Sequence, residues 1–122
     1  MLSLDLTCTP VSDISALAEM RELERLELRA TAVADLSPLA GMTRLCSLDL
    51  FDTPVTDLSP LAKTTNVTIE LGGRAMNDLT PLVGMRNATI FLYKYPHASV
   101  PQALQSRLQQ VQVVPIYKRY GE

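Results

Sequence analysis

The chain has 122 residues, of which 47% are hydrophobic and 20% charged, an ordinary balance for one folded domain. Its net charge of −2 argues against a nucleic-acid partner, which calls for a basic face to neutralise phosphates. No run of about 18 apolar residues exists to form a membrane-spanning helix. Two cysteines, Cys8 and Cys46, and one histidine, His97, are too few for a disulfide framework or a zinc cluster.

In chain order, Met1-Leu2-Ser3-Leu4-Asp5 lacks the basic start and unbroken apolar run of a secretion signal, so a cytoplasmic location is expected. The first predicted strand is Leu4-Asp5-Leu6, whose two leucines share one face because side chains alternate along a strand. A turn at Thr9-Pro10-Val11 follows, then a helical turn opening at Ser15-Ala16. The pattern returns 22 residues later as Leu26-Glu27-Leu28, and again as Leu48-Asp49-Leu50 with its turn at Thr53-Pro54-Val55. It returns after 21 residues as Ile69-Glu70-Leu71 and after 21 more as Ile90-Phe91-Leu92; these two units each lose a residue, near Val67 and Ala88.

Ser37-Pro38, Ser59-Pro60 and Thr80-Pro81 predict helical turns, with the hydroxyl residue as N-cap and proline in the first helical position. The first of these runs from Pro38 to about Met42. Other columns keep step: Val11, Val33, Val55 and Met76; Asp13, Asp35, Asp57 and Asp78; Leu17, Leu39, Leu61, Leu82 and Leu104; Leu23, Leu45, Val67 and Ala88. Beyond the irregular stretch Tyr95-Pro96-His97-Ala98, Ser99 caps a longer predicted helix with Pro101 in its first turn. That helix carries an apolar face of Val100, Leu104 and Leu108. Val111-Gln112-Val113 then offers a last strand reaching Ile116 and Tyr117, ahead of a polar tail at 118–122.

One such unit cannot bury its apolar face alone, so the units are expected to stack, with parallel strands about 4.8 Å apart. The segment Leu23-Glu24-Arg25-Leu26-Glu27-Leu28, continued by Thr31, Val33 and Asp35-Leu36-Ser37-Pro38-Leu39, resembles the leucine-rich repeat family in its short 22-residue, internalin-like form. The resemblance covers about residues 1–98. It implies an α/β solenoid with a parallel sheet on the concave face and short helical turns on the convex side. About five repeats (1–98) precede a C-terminal cap of helix and strand (99–117) within a single domain spanning 1–122. One departure is that threonine (Thr9, Thr31, Thr53) and then Arg74 stand where the family carries asparagine. The regular Asp-Leu-Ser-Pro-Leu form resembles bacterial members, and the resemblance implies protein binding through the concave face.

The outward strand positions on that face read Asp5, Glu27, Asp49, Glu70 and Phe91. Carboxylates in register repel one another and can raise a carboxyl pKa; Arg25 and Arg29 supply opposite charge nearby. With the aromatic area of Phe51, Tyr93 and Tyr95, this surface suits a basic, partly apolar protein partner. The candidate partner-binding set is Arg25, Glu27, Arg29, Asp49, Phe51, Glu70, Phe91 and Tyr93. A solvated face without a partner is the bland alternative.

A second candidate surface is the first strand's outer edge, carrying Met1, Leu2, Leu4, Leu6 and Val11, because a bare strand exposes unpaired backbone and core. Self-association as a two-fold homodimer would seal it. A third alternative makes the chain a regulatory fragment of a larger protein.

No catalytic residues, cofactor or metal are expected. The aspartate column suits turn bonding better than cation binding. His97 lies units away from both thiols, and two repeats put Cys8 and Cys46 about 10 Å apart, beyond a disulfide's reach. Gly72-Gly73-Arg74 lacks the context of a phosphate loop and more simply eases a turn.

Overall fold

A computed structural model describes residues 2–72, 79–93 and 111–116. Six strands form one parallel sheet whose spatial order is the chain order: β1 Ser3–Asp5, β2 Arg25–Glu27, β3 Ser47–Asp49, β4 Thr68–Gly72, β5 Ala88–Tyr93 and β6 Val111–Ile116. The register pairs Leu4 with Leu26, Leu26 with Leu48, Leu48 with Ile69 and Ile69 with Ile90. These are the columns expected from the repeat. β6 takes the place expected of the last strand. The predicted helix from Ser99 to Gln110, with its Leu104 face, lies outside the described residues, as do Arg74, Met76, Asp78 and His97.

The core follows from the alternation. Leu26, Leu48, Ile69 and Ile90 point inward from consecutive strands and are 0–1% exposed. Leu28, Leu50, Leu71 and Leu92 pack one step further along, and Leu39, Leu61 and Leu82 close the slab from the convex side. Burying each such side chain contributes roughly 1.5–3 kcal/mol. In the first repeat Leu4 and Leu6 are partly buried and Leu2 is 44% exposed.

The convex turns are tighter than the sequence implies. Each is a 3-10 turn, Ser15–Glu19, Ser37–Leu39, Ser59–Leu61 or Thr80–Leu82, so the helical turn expected from Pro38 to about Met42 is present but ends at Leu39. With only about 22 residues for a full circuit, a short i→i+3 closure suffices. Leu39 N–H donates to the Leu36 carbonyl at 2.8 Å, and Leu61 repeats this on Leu58 at 2.9 Å. The hydroxyl residues are not the capping acceptors. Instead, the aspartates two residues upstream accept the backbone N–H of Ser15, Ser37 and Ser59, each at 2.9 Å. The turn-bonding role expected for Asp13, Asp35 and Asp57 is therefore what the structure shows.

On leaving each of the first three strands the chain turns through a left-handed residue: Cys8 (φ 60°), Ala30 (φ 56°) and Asp52 (φ 59°). The following threonine locks the turn. Thr9, Thr31 and Thr53 donate their hydroxyls to the carbonyls of Leu6, Leu28 and Leu50 at 2.7, 2.7 and 2.8 Å. This is the physical content of the threonine column: each side chain satisfies a strand-end carbonyl that the turn withdraws from the ladder.

The shortened units have a local cause as well. Where Leu45-Cys46-Ser47-Leu48 becomes Val67-Thr68-Ile69, the chain reaches the strand one residue sooner through Asn66 (φ 55°), and Asn87 (φ 53°) repeats the manoeuvre. Asparagine tolerates this conformation better than most residues, and the Asn87 side-chain amide donates to the Asn66 side-chain oxygen.

Alanine at φ 56° is strained where glycine is not. The left-handed cost of about 1–2 kcal/mol exceeds glycine's extra chain entropy of about 0.5–1 kcal/mol. Ala30→Gly is therefore expected to stabilise the fold by about 0.5–1 kcal/mol, read as a higher urea midpoint at unchanged slope. A lower midpoint would contradict the strain.

Candidate functional site

The concave face is made by the residues that the core does not use. Strand register aligns Asp5, Glu27, Asp49, Glu70 and Phe91 as one row across β1 to β5. A second row is Ser3, Arg25, Ser47, Thr68 and Thr89. On the far side of the carboxylate row stand Arg29 and Phe51, followed by Gly72, which pairs with Tyr93. Of the candidate partner-binding residues, the structure brings Arg29, Asp49, Phe51 and Glu70 into one cluster. Arg25 is exposed at its own register position between Ser3 and Ser47, away from that cluster.

Arg29 organises the cluster. Its Nε donates to Asp49 Oδ2 at 2.7 Å and its Nη2 lies 2.5 Å from the same oxygen. Nη2 is also 3.6 Å from Glu70 Oε2, and the guanidinium sits 6.0 Å from the centre of the Phe51 ring. Asp49 is only 5% exposed. A carboxylate so buried needs charge and hydrogen bonds in compensation. Arg29 supplies the first, and the Phe51 N–H, donating to Asp49 Oδ1 at 3.0 Å, supplies part of the second. The evenly repelling ladder expected from the row is thus broken in the middle by a paired and buried carboxylate.

Asp5 repeats the backbone half of this arrangement, accepting the Thr7 N–H at 2.9 Å. Hydrogen bonds from Thr7 hold its carboxyl below the usual range, and interaction with Glu27 lowers it further. Glu27 is the row's pressed member. Desolvation raises its pKa first, followed by the hydrogen bond with Asp5 and the charges of Asp5 and Asp49, with only Arg25 pulling the other way. The aspartates of the convex turns are held low by their serine donors: Asp13 mainly by the backbone of Ser15, Asp35 and Asp57 mainly by the hydroxyls of Ser37 and Ser59.

Phe51 and Phe91 are both half-buried, so each offers ring area to solvent. Tyr93 is placed by backbone register opposite Gly72 and Ile116. Gly72 ends β4 at φ 124°, a conformation open to glycine, while Gly73 and Arg74, expected with it in a turn, lie outside the described residues. Tyr95 and Met1 lie outside the described residues. The sequence had no means of marking Asp49 as the buried member of its row; the one signal was Arg29, two strand positions diagonal to it.

Among the described residues no group of three or more histidine, cysteine, aspartate or glutamate side chains is placed to hold a metal ion, and no helix is long and apolar enough to cross a membrane. Cys8 and Cys46 are both free thiols.

The pKa directions fix the sign of a pH effect. A carboxyl whose folded pKa is raised binds its proton more tightly in the folded state, so its contribution to stability falls as pH rises through that pKa. The lowered aspartates act oppositely, supporting the fold above their unfolded value and losing that support as pH falls through the folded one. Glu27→Gln is therefore expected to stabilise the fold near neutral pH by about 0.2–1 kcal/mol, the scale of like charges opposed across strands, and to have no effect below the unfolded glutamate pKa. Urea titrations at several pH values check this; an equal effect at acid pH would remove the electrostatic explanation.

No family model matches the sequence, and no curated protein matches it. Solved structures do. Internalin C2 from Listeria monocytogenes is similar over 93% of this chain, at 28% identity and a TM-score of 0.71. Another internalin from the same organism is similar over 89% of the chain at 18% identity and a TM-score of 0.53, a likeness of fold alone. The chain spans 54% of the first structure's length and 40% of the second's.

Proposed function

Taking the chain as a leucine-rich-repeat solenoid of the short, internalin-like class, we propose that it is a non-catalytic interaction module that binds a protein partner across its concave sheet face. The observation that carries this reading is the Arg29 cluster. A buried carboxylate, a clamped guanidinium and a half-buried phenyl ring are arranged on a face where the core needs none of them. Side chains already held in place lose little entropy on binding, and rigid arginine and aromatic groups are the usual anchors of protein interfaces. Glu27 and Asp5, beside this cluster, favour basic groups on the partner, and Phe91 with Phe51 favours apolar ones. A bacterial source is part of the same proposal, resting on the Asp-Leu-Ser-Pro-Leu repeats and their likeness to internalins.

The test is retention of a partner on the immobilised chain. Glu27→Lys and Phe91→Ala are each expected to weaken retention by about tenfold, whereas Glu19→Lys, on the convex turn, leaves it unchanged. Loss with the convex variant and retention with both concave variants would overturn the assignment of the face.

A second reading is favoured by Leu2, 44% exposed, with Leu4 and Leu6 only partly buried beside it. In that reading two copies associate as a homodimer through β1, each covering the other's strand edge. Light scattering is then expected to show a concentration-dependent dimer that Leu2→Asp abolishes. A monomeric mass at every concentration would dismiss it.

A further inference from the structure

A different departure from the repeat lies on the opposite side of the molecule. Met20, Met42, Thr64 and Met85 occupy one structural place: each N–H donates to the carbonyl of the leucine three residues earlier, at 2.9, 3.2, 3.0 and 3.1 Å. Met42 and Met85 are 2% and 1% exposed, and their thioether chains fill the space behind the convex turns, as methionine does in irregular gaps. The third repeat has threonine instead. Beside it lies an open pocket of about 240 Å³, bordered by Met42 and Pro60 and lined by Thr64 itself.

Thr64 is 7% exposed. Among the described residues its hydroxyl has no hydrogen-bond partner. The open pocket leaves apolar surface in contact with water, a cost that the apolar part of an occupant would offset. The rim adds charge. Exposed Lys63 lines the cavity with the hydroxyl residues Thr43 and Thr65. Arg21 Nη1 lies 4.0 Å from where a side chain at the lining residue Gly41 would begin. Neither Lys63 nor Arg21 has an ion-pair partner among the described residues.

Apolar walls, a buried hydroxyl and a cationic rim together define an occupant. We propose that this cavity binds a small amphipathic monocarboxylate, its aliphatic stem against Met42 and Pro60, its carboxylate at Lys63. An apolar cavity of about 150 Å³ accepts benzene, so the space here suits a chain of about six carbons. The site is independent of the concave face, and its failure would leave that reading untouched.

Titration of the whole chain with sodium hexanoate, followed by amide NMR, tests it. Shifts are expected at Gly41, Thr43, Thr64 and Thr65, with a dissociation constant of about 1 mM. Thr64→Met, which restores the column, is expected to raise the melting temperature and to weaken binding by about tenfold or more. Lys63→Gln leaves the packing alone and is expected to weaken hexanoate about threefold while leaving 1-hexanol unaffected. Shifts elsewhere or none, undiminished binding by Thr64→Met, or an unchanged affinity in Lys63→Gln would each overturn the proposal. Tighter binding of acetyl-Ala-Ala-Leu at the same residues would overturn the small-molecule source in favour of a peptide terminus.

Discussion

Leu48 is buried only because Leu26 and Ile69 stand on either side of it, and the rest of the molecule depends on that constraint. A circuit of 22 residues has no interior of its own. Its strand leucines leave water by stacking on the next circuit, and the backbone ladder that holds the circuits in register also fixes every outward side chain. Core and surface are thus two sides of one alternation. Whatever pins the inward row pins the outward row with it.

The turns serve this stacking. A convex aspartate accepts one backbone N–H, a threonine hydroxyl satisfies one strand-end carbonyl, and a left-handed residue reverses the chain. Each contributes little alone, but their repetition keeps the strands level. The structure accommodates a missing residue at Asn66 and again at Asn87 by the same means, so the sheet continues in register through β5.

On the concave face, regular spacing places charges closer than they would choose. The structure resolves this unevenly. Arg29 neutralises Asp49 and reaches Glu70, while Asp5 and Glu27 are left to share their burden, with Glu27 raised and Asp5 lowered. A row that is uniform in sequence becomes a surface with a rigid centre and an acidic flank. On the convex side, the place that methionine holds in the neighbouring repeats is threonine in the third, and it borders an open pocket lined by hydroxyl residues and Lys63.

How much of this was legible beforehand depends on range. The strands, their parallel register, the inward leucines and the turn role of the aspartates follow from period and residue type, because each is decided within one repeat or by its copy in the next. The outward row could be read too, as could the pressure on a carboxyl within it. Three features could not. The short convex helical turns were legible, but the serine expected to cap each is not its capping acceptor, because the aspartate two residues upstream takes the backbone N–H. Asp49 is paired because Arg29 reaches it from just beyond the neighbouring strand, a contact set by rotamers rather than spacing. The pocket beside Thr64 exists because Gly41, Met42 and Thr43 of one repeat meet Pro60, Lys63 and Thr65 of the next there, and only the packed structure shows which residues of neighbouring repeats border one space.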